Sequence, residues 1–343
     1  MNNFYRMTPK EVYENICLCI KAGLVPFIQG SPGTGKSAIV KKIAKDFNLE
    51  LIDCRLSAMD STDLNGLPTF KNGEAIFAPY SFFPLDTHKI PEGKTGWLIF
   101  LDEMNSAPRD VQAASYKLIL DRMLGMHKLH PKCAIVCAGN FQSDNAITNP
   151  ISTALMNRVI HLCMRVEADE WIEEVAIPQG YREEIIAFIR AYEEELFNFD
   201  PEKEDEAYPT PRSWEFVDRL MKVSEGKSRT NLLPLLAGAI GVPTASKFNT
   251  FMAVYKDMIT VEDLKRDPDI NPPEDNNKLW AIITHLCQKI EQEDVEHVIK
   301  FIEKCPKSFQ IVFLRSITKR FPTVTRDSSI KNLLISLASY LRS

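Results

Sequence analysis

With 343 residues the chain has room for one α/β domain and one or two smaller ones. A hydrophobic fraction of 45% and a charged fraction of 25% are ordinary for a globular protein, and the net charge of −5 excludes a general attraction to nucleic acid, so any such contact would be local. Eight cysteines lie mostly in apolar runs, without a paired C-x-x-C or a histidine at zinc spacing. Free buried thiols in a reducing cytosol are expected, and not a metal site or disulfides. The first ten residues lack the apolar core of a secretion signal, and no later stretch approaches the ~20 apolar residues of a membrane span. The expectation is a cytoplasmic protein without a membrane partner.

In chain order, apolar residues at helical spacing (Val12, Ile16, Cys19, Ile20) predict a helix over 9–22. An apolar strand over 24–29 runs into Gly30-Ser31-Pro32-Gly33-Thr34-Gly35-Lys36-Ser37, and a helix follows over 38–47. This G-x-x-x-x-G-K-S spacing, placed between a strand and a helix, is built to hold a triphosphate. The glycines free the backbone to turn its N–H groups inward, and the helix presents its positive dipole end. Lys36 would reach the β- and γ-phosphates of ATP, and Ser37 would ligate Mg²⁺. The lysines at 41, 42 and 45 read as a solvated face.

Further strands are predicted over 50–55, 97–102, 133–138 and 159–164, with a helix over 109–124. Lys71-Asn72-Gly73-Glu74 is a hairpin turn. The strand over 97–102 ends in Asp102-Glu103, and a parallel sheet binds ligands at that end. About 70 residues after a phosphate loop, this pair predicts that Asp102 holds Mg²⁺ through water and Glu103 orients the attacking water. The strand over 133–138 leads to Asn140, which could hold the same water from the opposite side. Beyond about residue 166 the strand signal fades and amphipathic helices continue to the end. The proline-bounded 201–209 reads as a loop and the proline-rich 266–277 as a linker. The acidic run at 193–195 reads as a solvent face, and Trp171 and Trp214 as core residues.

The phosphate loop, Asp102-Glu103, Asn140, Ala154-Leu-Met-Asn-Arg158 and Pro209-Thr-Pro-Arg212-Ser-Trp214 together resemble the AAA+ ATPases of the MoxR branch, including its dynein-related, phage and prophage members. The resemblance covers residues 10–260. It implies a five-stranded parallel α/β core over 1–165, an all-α lid over 166–263, and a further helical region over 264–343 that carries no recognised motif. It also implies that Asn140 is sensor 1, that Arg158 is the arginine finger offered to a neighbouring subunit, and that Arg212 is sensor 2. Residues 63–79 look like the hairpin inserted in the second helix of this clade, and 124–130 like its second hairpin. Where many relatives have Asp-Glu-Ile-Asn-Arg-Ala, this chain has Asp102-Glu-Met-Asn-Ser-Ala107, so that arginine's role is absent or shifted to Arg109.

The implied activity is Mg²⁺-dependent ATP hydrolysis in a homo-oligomeric, hexameric ring, a motor or chaperone that remodels a protein partner. Relatives commonly act with a protein carrying a von Willebrand factor A domain. The competing class is a nucleic-acid motor or loader footed on Lys71, His127, Lys128 and His130, although two lysines make a poor phosphate-tracking groove. The implied setting is a bacterium or a phage-infected cell.

Overall fold

The computed structural model describes residues 5–144, 149, 151–200, 202, 206–224, 232–255, 259–323 and 328–340. They form two compact units, one of Met1–Trp171, Phe197–Asp205 and Thr210–Ser213, the other of Ile172–Leu196, Glu206–Pro209 and Trp214–Ser343.

The first unit is α/β. Its strands are β1 (Arg6–Met7), β2 (Pro26–Gln29), β3 (Leu49–Arg55), β4 (Leu67–Lys71), β5 (Glu74–Ala78), β6 (Gly96–Asp102), β7 (Met123–Leu124), β8 (His127–Lys128), β9 (Cys133–Gly139) and β10 (Ile160–Met164). Six of them make one parallel sheet in the order β1-β10-β2-β9-β6-β3. The sheet is thus six-stranded, not five-stranded. The additional strand is the two-residue β1, which pairs Arg6 with Cys163 and Met7 with Met164 at the edge.

The apolar run of β6 is buried on both faces, as a covered parallel sheet requires. Leu98 and Phe100 face Val12 and Ile16 of the helix Pro9–Lys21 and Val40 and Ile43 of Lys36–Asp46. Ile99 and Leu101 lie in the opposite layer with Val111, Leu118 and Ile119 of the helix Arg109–Asp121. That helix stops short of Leu124, because Arg122 turns into the left-handed region (φ 54°) and Met123–Leu124 pairs with His127–Lys128 as a second hairpin. The first hairpin, β4–β5, turns through Asn72 and Gly73 at φ 56° and 82°, the pair of positive values that Asn-Gly supplies most readily.

Among the described residues, every regular element of the second unit is a helix. Phe188, Trp214 and Phe248 pack with ring centroids 5.1–5.5 Å apart. A separate core joins Leu264, Ile283, Val298, Phe313 and Ile330. Trp171 and Trp214 are both buried. The acidic run is the expected solvent face only in part: Glu193 and Glu194 are exposed, whereas Glu195 is buried, accepting hydrogen bonds from Thr244 Oγ1 (2.7 Å) and Lys247 Nζ (2.9 Å). All eight cysteines are free, and seven are buried. Among the described residues no helix is long and apolar enough to cross a membrane.

Candidate nucleotide site

The loop between β2 and the helix Lys36–Asp46 is shaped by two glycines. Gly33 and Gly35 sit at φ 75° and 97°, where a side chain is strained. At Gly33 there is also no room, since a Cβ would lie 2.7 Å from Thr210 Oγ1. Thr210 is fixed in turn: its N–H donates to Ser213 Oγ (2.7 Å), and Ser213 N–H donates back to Thr210 Oγ1 (3.0 Å). Next to this pair, Arg212 N–H donates to Gly33 O (3.2 Å), which brings the predicted Arg212 to the loop through its backbone. Its side chain is exposed.

Lys36 is buried, and its Nζ donates to Gly30 O (2.6 Å), Ser31 O (3.0 Å) and Asn140 Oδ1 (3.0 Å). Burial lowers its pKa to about 8; the charges of Asp102, Asp144 and Glu103 oppose that fall, and Arg212 adds to it. Ser37 Oγ donates to Asp102 Oδ2 (2.9 Å), while Asp102 Oδ1 accepts from Glu103 N–H (2.8 Å). A hydroxyl and a buried carboxylate in contact at the start of a helix form an all-oxygen donor pair of the kind Mg²⁺ prefers, so the residues present fit that ion.

Glu103 follows the end of β6 in the left-handed region, at φ 56°. For a non-glycine residue this conformation costs on the order of 1–3 kcal/mol and concentrates at functional sites. It turns the side chain out of the strand's alternation, and the carboxylate accepts a hydrogen bond from Ser57 Oγ.

Asn140 is positioned by the asparagine of the Asp102–Ala107 stretch. Asn105 Nδ2 donates to Asn140 O (2.6 Å) and Asn105 Oδ1 accepts from Asn140 N–H (3.1 Å), so one buried amide clamps both backbone groups. Gly139 makes the close approach possible, for a Cβ there would lie 2.4 Å from Asn105 Oδ1.

The structure therefore brings Gly30 through Ser37, Asp102, Glu103, Asn140 and Arg212 together. It does not bring in Arg158, whose side chain is exposed on the turn before β10 with no partner among the described residues. Arg109 is likewise exposed. Sequence reasoning overlooks Ser57, Asn105 and Asp144. Asp144 accepts a hydrogen bond from Ser31 and has its pKa raised by burial. None of the three carries a local signal beyond proximity to a motif.

Residues 26–164 match the AAA domain of the dynein-related subfamily. The six-stranded parallel sheet and the phosphate loop after β2 give the first unit the fold of an AAA+ domain, in keeping with that match. No curated protein matches the sequence. Among solved structures the chain is similar to a protein of Cytophaga hutchinsonii ATCC 33406 provisionally named an ATPase. The two share 13% identity over 96% of this chain and 80% of that one, with a TM-score of 0.36, too low to carry an argument.

Proposed function

We propose that the protein is a MoxR-type AAA+ ATPase that hydrolyses ATP in a hexameric ring and uses the cycle to remodel a protein partner. The observation that carries the ATPase reading is the convergence of Ser37 on Asp102 and of Lys36 on Asn140 around one glycine loop. In this reading the loop N–H groups and Lys36 hold the phosphates. Ser37 and Asp102 hold Mg²⁺, which supplies charge neutralisation to the phosphate oxygens. Glu103, released from Ser57, accepts a proton from the attacking water, and Asn140 orients that water. Arg158 serves the neighbouring subunit's site, which accounts for its exposure and for its separation from its own loop. Arg212 couples the phosphate state to the helical unit.

The hairpins favour a polypeptide as the thing remodelled. Phe70 is 80% exposed near the turn of the first hairpin and Met126 is 73% exposed at the turn of the second. Leu67, Phe77 and Phe82 add half-exposed apolar surface. The hairpins touch where a His127 ring nitrogen meets Phe77 O at 3.3 Å. The side chain of Lys71 lies outside the described residues. Apolar hairpins suit side chains of an extended or partly unfolded protein better than a phosphate backbone.

A protein carrying a von Willebrand factor A domain is the partner we favour, on family likeness. Capture with a Glu103→Gln trap loaded with ATP tests this. Recovery of a protein partner whose retention is lost on Phe70→Ala plus Met126→Ala supports it. A salt-sensitive shift with single-stranded DNA and no stimulation by unfolded protein would favour the nucleic-acid class.

A further inference from the structure

Arg190, on the helix Glu183–Ala191, carries a charge that its surroundings leave unpaired. Its Nε is buried without a hydrogen-bond partner, and among the described residues it makes no ion pair. On the helix Asn276–Lys289, Gln288 is in the same condition: Oε1 and Nε2 are both buried without partners. Both residues line one cavity of about 750 Å³ in the helical unit. A buried polar group without a partner is destabilising and rare, so two of them on one cavity wall call for an explanation.

The remaining charges on that wall are engaged or solvated. Glu173 is paired with Lys319, and Glu183 with Lys289 (2.6 Å) and His285 (3.6 Å). Arg320 Nη1 donates to the carbonyls of Cys287 (3.0 Å) and Gln288 (2.6 Å). Glu174 is exposed to solvent. The cavity is thereby left with one half-buried guanidinium whose Nε has no acceptor, an amide able both to donate and to accept, and an apolar surface from Ile177, Ile186 and Cys287. Part of its wall is the π-helical turn Ile172–Ala176, a backbone form that concentrates at functional sites.

We propose that this cavity binds a small organic monoanion, its carboxylate or phosphate on the Arg190 guanidinium and a neighbouring amide or hydroxyl on Gln288. A guanidinium is permanently charged, and its planar fork matches either oxyanion. The volume is that of a small-molecule site. The site is independent of the ATPase reading, because none of its residues belongs to the phosphate loop.

The test uses the full chain with two probes, N-acetylglycine for an amide-bearing carboxylate and inorganic phosphate for the other oxyanion. A saturating probe should raise the melting temperature by about 2–4 °C and slow alkylation of Cys287, followed by peptide mass spectrometry. Response to N-acetylglycine alone assigns a carboxylate ligand, and response to phosphate alone a phosphorylated one. Arg190→Met should raise the melting temperature of the ligand-free protein, by removing a buried Nε–H that has no acceptor, and should abolish both responses. Gln288→Glu, which offers Arg190 an internal carboxylate, should abolish them too without unfolding the chain. Silence from both probes overturns the proposal, as does a response that persists in either folded variant. A response lost in Lys36→Ala protein would place the anion on the phosphate loop and overturn it equally.

Discussion

Lys36 is a buried cation and Arg190 a half-buried one, and the fold treats them in opposite ways. Lys36 has three oxygen acceptors within 3.0 Å, each at a position specified by a short stretch of chain. Arg190 has none among the described residues, and its neighbours come from three helices far apart in sequence. The first arrangement holds a charge in readiness for a ligand and remains satisfied meanwhile, at the cost of a lowered pKa. The second leaves a standing deficit that a ligand would remove. A preorganised and a deficient cation should therefore answer oppositely to truncation: loss of Lys36 removes function, whereas loss of Arg190 adds stability.

The largest effect that sharpens this contrast is expected at Arg158, which lies on neither side of it. Arg158→Ala should bind ATP normally and lose ~10³–10⁵ in turnover, as for a finger supplied in trans. Mixing with Lys36→Ala protein should restore part of the activity, because a hybrid interface joins an intact loop to an intact finger. No recovery, once labelled protein has shown that subunits exchange, would return Arg158 to a structural role.

Next in size is Gly33→Ala, which forces a side chain into φ 75° and against Thr210 Oγ1. Strain of roughly 1–3 kcal/mol should appear as a lower denaturation midpoint and weaker ADP affinity. Unchanged values in both would mean the loop and Thr210 part without penalty. Asn105→Ala should cost a similar amount, roughly 1–3 kcal/mol for each backbone group of Asn140 left unsatisfied, and should depress turnover more than ADP binding. Equal losses in turnover and binding would show that Asn140 builds the pocket instead of positioning the chemistry.

The smallest effect concerns protons. With its pKa lowered to about 8, Lys36 is partly neutral in the free protein at pH 8, and nucleotide binding should draw it back to the ammonium. Calorimetry in buffers of different ionisation enthalpy should then report uptake of about half a proton at pH 8, disappearing near pH 6 and in Lys36→Ala. The sign is opposite for Glu183, held down to about 2 chiefly by the neighbouring His285 imidazole (Nδ1 to Oε2 3.6 Å), with Lys289 assisting. That carboxylate supports the helical unit above its unfolded pKa, and the support is lost as pH falls from roughly 4.3 towards 2. Glu183→Gln should flatten that limb of the acid unfolding curve.

What could be seen in advance divides along the same line. The phosphate loop, the strands after it, the Asp102-Glu103 strand end and the Asn72-Gly73 turn are local: adjacent residues impose the backbone and the backbone imposes the chemistry. The sixth strand was not legible, because Arg6–Met7 is two residues long and exists only through pairing with β10. Ser57 and Asn105 act across 46 and 35 residues of sequence on groups whose own motifs are plain. Glu195 belongs to an acidic run that looks solvated until Thr244 and Lys247 close over it. In the helical unit almost every informative contact is of this long-range kind.

The central claim is that Asp102 and Glu103 serve an ATP site on the glycine loop, and the measurement that meets it most directly is ATP binding and turnover of Glu103→Gln side by side. Glu103→Gln should show wild-type or tighter ATP affinity with hydrolysis slowed at least ~10²-fold, because the carboxylate that takes up the water's proton is gone while every phosphate contact remains. Turnover near the wild-type rate would contradict it.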